Sequence, residues 1–269
     1  MLSKTLSDHQ VAGSKLLNQC SIHNPSETGA DLQISSIYLR HSIPDEARNK
    51  LLDWMIEVLC KCEASLNTFF VSVSILDRFF LLTDEILSKQ NLHISGVVAM
   101  DLACKYENSN SVSLGIFKKE VAHNKFTMNQ LLKMEIKILK TLQFNLNLPL
   151  PIDALRYISW KLSFPKKIIK ISELLLILNR FDTTLQLSPI EESLTCLYLS
   201  CRSEDLAEDC LKLKSLCYSL NEDIEYPIIC IQNKITQYKL SRPVFKCLYT
   251  YLRFEFESIE KKPFFQFFE

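Results

Sequence analysis

Val97-Val98-Ala99-Met100-Asp101-Leu102-Ala103-Cys104-Lys105 returns 97 residues later as Leu194-Thr195-Cys196-Leu197-Tyr198-Leu199-Ser200-Cys201-Arg202. Small and apolar residues dominate both stretches. Side chains of that size let neighbouring helices approach closely, so each stretch reads as a helix at the centre of its own block. Repetition at this period points to a tandem duplication of one helical unit. Two copies make a lobed globule rather than a solenoid.

Working outward from Val97, helical spacing continues on both sides. Upstream, Leu51, Trp54, Met55 and Val58 recur three and four residues apart, behind Pro44. Thr68 to Leu82 is apolar nearly all round, which predicts a helix buried on most sides. The stretch that contains Val97 predicts a helix from Ser88 to Glu107. Ser113 reads as the cap of a short fourth helix. Thr127-Met128-Asn129-Gln130 has capping-box spacing and opens a fifth, with Leu131, Met134, Ile138 and Leu142 on one stripe. Pro149 and Pro151 mark a linker. Beyond it the pattern predicts helices over 152–162 and 168–185, then one opened by Ser188-Pro189-Ile190-Glu191, with two or three more reaching 260. Ser at the cap, Pro at the first helical position and Glu at the third is a specific start signal. The expected organisation is all-α: a flexible leader over 1–27, a five-helix domain over 28–147, a second over 148–257 and an aromatic tail over 258–269.

Composition narrows the function. Of 269 residues, 31 are basic and 31 acidic, 47% are hydrophobic and four are glycine. Gly13, Gly29, Gly96 and Gly115 are unclustered, so the glycine-rich loops that cradle phosphates are excluded. Asn-Gly and Asp-Gly hairpin turns do not occur either. Leucine, at about one residue in six, fits helices. Zero net charge argues against a broad nucleic-acid surface. No apolar run approaches the roughly 18 residues of a membrane span, and Met1 to Gln10 contain no signal-peptide core.

No catalytic constellation is visible. The ten cysteines contain no Cys-x-x-Cys pair, so neither a zinc ribbon nor a thioredoxin-type site is expected. They read as reduced core thiols of an intracellular protein. Cys60 and Cys62 point apart on a helix. No cofactor or metal is expected. Asp53, Glu57 and Glu63 read as solvated or ion-paired helix carboxylates. A helical two-domain chain of this kind is better suited to binding a partner than to catalysis.

Arg48-Asn49-Lys50-Leu51-Leu52-Asp53-Trp54-Met55-Ile56-Glu57-Val58 resembles the signature first helix of a cyclin box. Ile75-Leu76-Asp77-Arg78-Phe79 is similar to its second helix, and Ala103-Cys104-Lys105-Tyr106-Glu107 to the end of its third. Met134-Glu135, Leu139 and Leu142-Gln143-Phe144 are similar to its fifth. The likeness covers about residues 30–147; the second block resembles the family's more variable second box. It implies two tandem five-helix cyclin-like domains and a regulatory subunit of a cyclin-dependent protein kinase. Kinase contacts are implied at Lys105, Glu135, Leu139, Phe144 and Leu146. Arg48, Asp53, Asp77 and Arg78 carry structural signatures, with Arg48 and Asp77 expected to tie helices together as a buried ion pair.

Two departures stand out. The family's substrate-docking groove maps to Ala47, Lys50, Leu51, Trp54, Glu57, Leu92 and His93. Leu51 and Trp54 are retained, but Ala47 and Lys50 replace large apolar residues. Asp101 stands where the resemblance predicts a large apolar side chain, four residues before Lys105. The leader shows no Arg-x-x-Leu or Lys-Glu-Asn degradation signal. The tail, Lys261 to Phe268, is expected to pack on the second box. Protein substrates or inhibitors are further expected partners; nucleic acid and membrane are not. The expected location is intracellular, in nucleus or cytoplasm. A transcription factor of the TFIIB type and a non-activating kinase scaffold share the fold. The first of these alternatives needs an N-terminal zinc ribbon and a basic face.

Overall fold

The computed structural model describes residues 34–107, 125–185, 187–240 and 245–257. The expected leader, the helix capped by Ser113 and the aromatic tail lie outside them. Among the described residues there are eleven helices and no strand. They form two compact units: residues 34–107, 125–148 and 245–248 in one, and 149–185, 187–240 and 249–257 in the other.

The first unit holds α1 (Ile34–Arg40), α2 (Asp45–Lys61), α3 (Leu66–Leu82), α4 (Lys89–Glu107) and α5 (Met128–Thr141). Pro44 precedes α2 in an extended conformation, and Asp45 and Glu46 favour the positive end of the helix. Ser65 caps α3 by accepting from the Thr68 amide at 3.3 Å. The Thr127–Gln130 box opens α5: the Gln130 amide donates to Thr127 Oγ1 at 3.2 Å, and the Thr127 amide to Gln130 Oε1 at 2.8 Å.

Helix α4 is the centre, packed against α2, α3 and α5. Every residue from Ile94 to Cys104 is buried. Gly96 shows how close the packing is: a Cβ built there meets the two Leu51 Cδ atoms at 2.8 and 2.9 Å.

The second unit repeats the plan with α6 (Pro151–Lys161), α7 (Lys166–Asn179), α8 (Pro189–Ser203), α9 (Ala207–Leu220) and α10 (Glu225–Leu240). To these it adds the later part of α11 (Lys246–Glu257). Helix α8 is central and opens on the Ser188–Glu191 capping box with Pro189 in the first turn. Small polar groups satisfy one another there: the Ser172 and Ser200 hydroxyls meet at 2.8 Å, and Ser193 Oγ donates to the Pro151 carbonyl at 2.6 Å. Helix α7 ends at Asn179, six residues short of the Leu185 that periodicity predicts. The cause is Asp182, whose Oδ1 accepts from the amides of Thr184 (2.7 Å) and Leu185 (3.3 Å). That local turn competes with the helix.

Cys104, Cys196, Cys201 and Cys217 are buried, whereas Cys60 is exposed and Cys62, Cys210, Cys230 and Cys247 are half-buried. The reading of all ten as core thiols is therefore too broad. Burial pushes Cys104 and Cys201, which are repeat equivalents, up to about 12, so both stay protonated thiols.

Enlarging residue 96 tests the close approach of α2 and α4. Gly96→Val forces Leu51 aside and is expected to cost about 3 kcal/mol by overpacking, measured by urea unfolding. Gly96→Ala should cost less, because alanine's helix propensity returns up to about 1 kcal/mol. A valine variant as stable as the parent overturns the packing account.

Candidate functional site

The site stands on a buried polar frame. Arg48 of α2 and Asp77 of α3 form a two-pronged pair: Nε donates to Oδ1 at 2.9 Å and an Nη to Oδ2 at 2.7 Å. Tyr38 of α1, fully buried, donates its hydroxyl to the same Oδ1 at 2.7 Å and stacks on Phe80. Burial works to lower the Arg48 pKa, but the Asp77 carboxylate more than offsets it and keeps the guanidinium charged. Arg40 and His41 close the end of α3. Arg40 donates to the carbonyls of Phe80 at 2.7 Å and Thr83 at 2.9 Å. The His41 Nδ1 accepts from the Leu87 amide at 3.1 Å, which makes Nε2 the donor to the Phe80 carbonyl at 2.8 Å. Tyr38, Arg40 and His41 are not legible as site residues in the sequence, since each acts on carbonyls or a carboxylate some forty positions away.

Asp53 corrects an expectation. It is neither solvated nor ion-paired: it is buried, and its carboxylate accepts from the amides of Leu248 at 2.7 Å and Cys247 at 3.3 Å. These are first-turn N–H groups of α11, which have no intrahelical acceptor, so Asp53 caps that helix from α2. Glu57 is ion-paired with Lys61 at 2.5 Å and also accepts from the Cys247 thiol at 3.5 Å. Glu63 is exposed, with φ near 52°.

The kinase contacts implied by the resemblance lie along α4, α5 and the turn after α5. Lys105 at the end of α4 reaches Glu135 of α5, Nζ to Oε1 at 2.7 Å. Leu139 stands one turn beyond Glu135 and is half-buried, as is Leu146; Phe144 is 69% exposed. Leu132 and Ile136, 44% and 52% exposed, share a face with Glu135 and Leu139. Their spacing is a second apolar stripe on α5, offset from the buried stripe of Leu131, Met134 and Ile138; the sequence shows the stripe but not that it is exposed.

Phe144 is held out by its backbone. Gln143 and Phe144 both have positive φ, 50° and 57°, a conformation that costs non-glycine residues about 1–2 kcal/mol each. The Phe144 amide donates back to the Leu139 carbonyl at 2.8 Å, closing the helix end. Arg78, half-buried on α3, donates to the Asn145 carbonyl at 2.9 Å and fixes the turn from the other side.

Lys105 has a second carboxylate. Asp101, four residues earlier and wholly buried, places Oδ2 2.7 Å from the ammonium. An exposed pair at this spacing is worth about 0.2–0.5 kcal/mol; this one is not exposed on the Asp101 side. Burial pushes the Asp101 carboxyl above the usual carboxylate range, with Lys105 pulling it back and Glu135 adding to the rise. Burial works to lower Lys105, and the two carboxylates overcome it, so its pKa is raised.

The positions of the expected docking groove separate. Leu51 and Leu92 are buried in the core, Leu51 against Gly96. Ala47, Trp54, Glu57 and His93 are half-buried and Lys50 is exposed, paired with Glu46 at 2.7 Å. Trp54 meets the His93 ring edge-on at 5.2 Å, and His93 in turn meets Phe126 at 5.3 Å. Burial and then the charge of Lys125 lower the His93 pKa. Among the described residues no group of three or more His, Cys, Asp or Glu stands where it could hold a metal. No helix among them is long and apolar enough to cross a membrane.

Residues 23–147 match the family described as cyclin, N-terminal domain. The G2/mitotic-specific cyclin-B2 of Oryzias latipes is 36% identical over 116 residues, covering 43% of this chain and 29% of that protein. Cyclin-B2-1 of Oryza sativa subsp. japonica is 40% identical over 116 residues, covering 42% of this chain and 26% of that protein. The chain thus spans under a third of the length of these relatives. The X-ray structure of a viral cyclin from herpesvirus saimiri superimposes with a TM-score of 0.62 at 17% identity, over 76% of this chain and 96% of that one, which is a likeness of fold. Residues 23–147 thus carry a cyclin N-terminal domain.

The frame gives a stability test. Arg48→Ala removes a fully buried guanidinium and leaves the half-buried Asp77 without its cation, at an expected cost of about 3 kcal/mol. Asp53→Ala, which uncaps α11, should cost about 1–2 kcal/mol. Chemical denaturation that ranks the two variants in the opposite order refutes this division of roles.

Proposed function

We propose that the chain is a cyclin that binds and activates a cyclin-dependent serine/threonine protein kinase, with the catalytic groups supplied by the kinase. The observation that carries this reading is the Lys105–Glu135 pair, 2.7 Å apart, beside the exposed apolar side chains Leu132, Ile136 and Phe144. Stable protein interfaces combine such an apolar anchor with a few charges that lose water on binding. Leu139 and Leu146 extend the same surface. The matching kinase element is its regulatory helix and the backbone beside it. A cyclin that binds that helix better in its active position shifts the kinase population towards the active state. The active position is the one that completes the Lys–Glu ion pair needed for phosphoryl transfer.

The relatives' designation as G2/mitotic-specific supports a role in cell-cycle control, and hence in nucleus or cytoplasm where such kinases act. The half-buried Trp54–His93 edge, with Glu57 nearby on α2, is the matching place for substrates or inhibitors. The burial of Leu51 and Leu92 makes it a shallow one.

Affinity capture with the full chain, followed by identification of the retained kinase, tests the partner. Glu135→Ala with Phe144→Ala removes one interface charge and the most exposed aromatic anchor without opening the core. This double variant is expected to lose at least about 2–5 kcal/mol of binding, read by titration with the captured kinase, while circular dichroism stays unchanged. Unaltered binding rejects the surface. A peptide-phosphorylation assay on the complex reports activation, and binding without a gain in activity identifies a scaffold.

A further inference from the structure

We propose that Asp101 is a positioning residue that restrains Lys105: its buried carboxylate holds the ammonium against the cyclin and so decides which kinases the α4–α5 surface accepts. The inference rests on the kinase-binding reading above and adds a selectivity element to it.

Three observations support it. Asp101 lies within the fully buried run of α4, with no exposed surface. Lys105 is the cation it meets, Nζ to Oδ2 at 2.7 Å, and neither carboxylate oxygen has an aligned hydrogen-bond donor among the described residues. A carboxylate removed from water is strongly unfavourable without a counter-charge, so Asp101 depends on Lys105 staying in place. Finally, the Lys105 ammonium donates a hydrogen bond to Glu135, while Asp101 holds it by charge alone, without an aligned donor. The lysine side chain is 36% exposed, so the ammonium also faces outward.

The consequence for a partner is specific. Two carboxylates on one ammonium give the cluster a formal charge of −1. A kinase segment that needs Lys105 to swing outward onto several carbonyls must strip Asp101 of its cation. A segment that meets only the outward side of the ammonium, and brings an N–H group or a cation to Glu135, leaves the cluster intact. Asp101 therefore penalises the first kind of partner and tolerates the second. The equivalent position of the second unit is Tyr198, which is half-buried and uncharged, so the restraint belongs to the first unit alone.

Two measurements on the full chain test this. In the first, the kinase retained by the wild-type chain is titrated against Asp101→Asn and Asp101→Leu. Both variants free Lys105 and are expected to bind about tenfold tighter, the scale of one hydrogen bond to a charged group, and the gain should vanish when Lys105→Met is added. Folded Asp101 variants with unchanged or weaker binding overturn the restraint, while a continued loss on Glu135→Ala leaves the kinase reading standing. If Glu135→Ala has no effect either, the kinase reading itself fails. The second measurement needs no kinase. Lys105→Met is expected to lower the urea midpoint more in the wild-type background than in Asp101→Leu, where only the Glu135 pair is lost. Equal losses in both backgrounds overturn the restraint whatever the binding data show.

Discussion

Helix α4 is buried from Ile94 to Cys104, and most of the first unit follows from that constraint. A helix enclosed on nearly every side admits large neighbours only where its own side chains are small. Gly96 admits Leu51 of α2 to within 2.9 Å of where a Cβ would stand, and Ala99 and Ala103 are likewise fully buried. Any polar group on such a helix must be satisfied by its immediate neighbours. Ser95 finds Met134 Sδ at 3.7 Å, Cys104 remains a protonated thiol, and Asp101 reaches along the helix to Lys105. The functional end of α4 is where this enclosure stops. Lys105 is the first residue after the buried run and the first that can face both a core carboxylate and a partner.

The surrounding helices are fixed by polar contacts at their ends rather than by apolar burial alone. Arg40 and His41 satisfy the last carbonyls of α3, groups that have no partner within the helix. Arg78 leaves α3 to grip the Asn145 carbonyl. Two consecutive positive-φ residues then become tolerable at 143 and 144, and Phe144 is presented outward instead of folding into the core. The exposed aromatic is thus a product of three elements: the end of α5, the backbone strain after it and an arginine from α3.

What the sequence reveals follows the range of the physics involved. The capping boxes at Thr127 and Ser188 are local, and the expected starts of α5 and α8 match the structure. The two central helices are legible because smallness repeats at a fixed offset. Asp53 is misread because its partners are backbone amides nearly two hundred residues away, and nothing in the flanking residues encodes them. The end of α7 is missed for the opposite reason. Apolar spacing continues through Leu185, but the Asp182 side chain offers the backbone a competing turn. Within the candidate site, Lys105, Glu135 and Phe144 are readable through resemblance. The exposure of Leu132 and Ile136 needs the structure, because a stripe of leucine and isoleucine on α5 reads equally well as core.

Two carboxylates of the first unit that hold cations, the half-buried Asp77 and the fully buried Asp101, contrast in a way that bears on function. Asp77 receives Arg48 through two parallel hydrogen bonds and a third from Tyr38; its charge is matched by a rigid planar group that is itself buried. Fully satisfied pairs of this kind hold one geometry. Asp101 receives one flexible ammonium, which also serves Glu135 and is part-exposed. Such a pair is stable only while the ammonium stays in place, and an incoming protein can compete for it. The first pair suits a frame that must not move. The second couples a core position to the surface, so that a change in what Lys105 touches outside is felt by a charge inside. A polar substitution within a fully enclosed helix is costly to the fold, and its position one turn before the outermost lysine is where that cost can be converted into discrimination between partners.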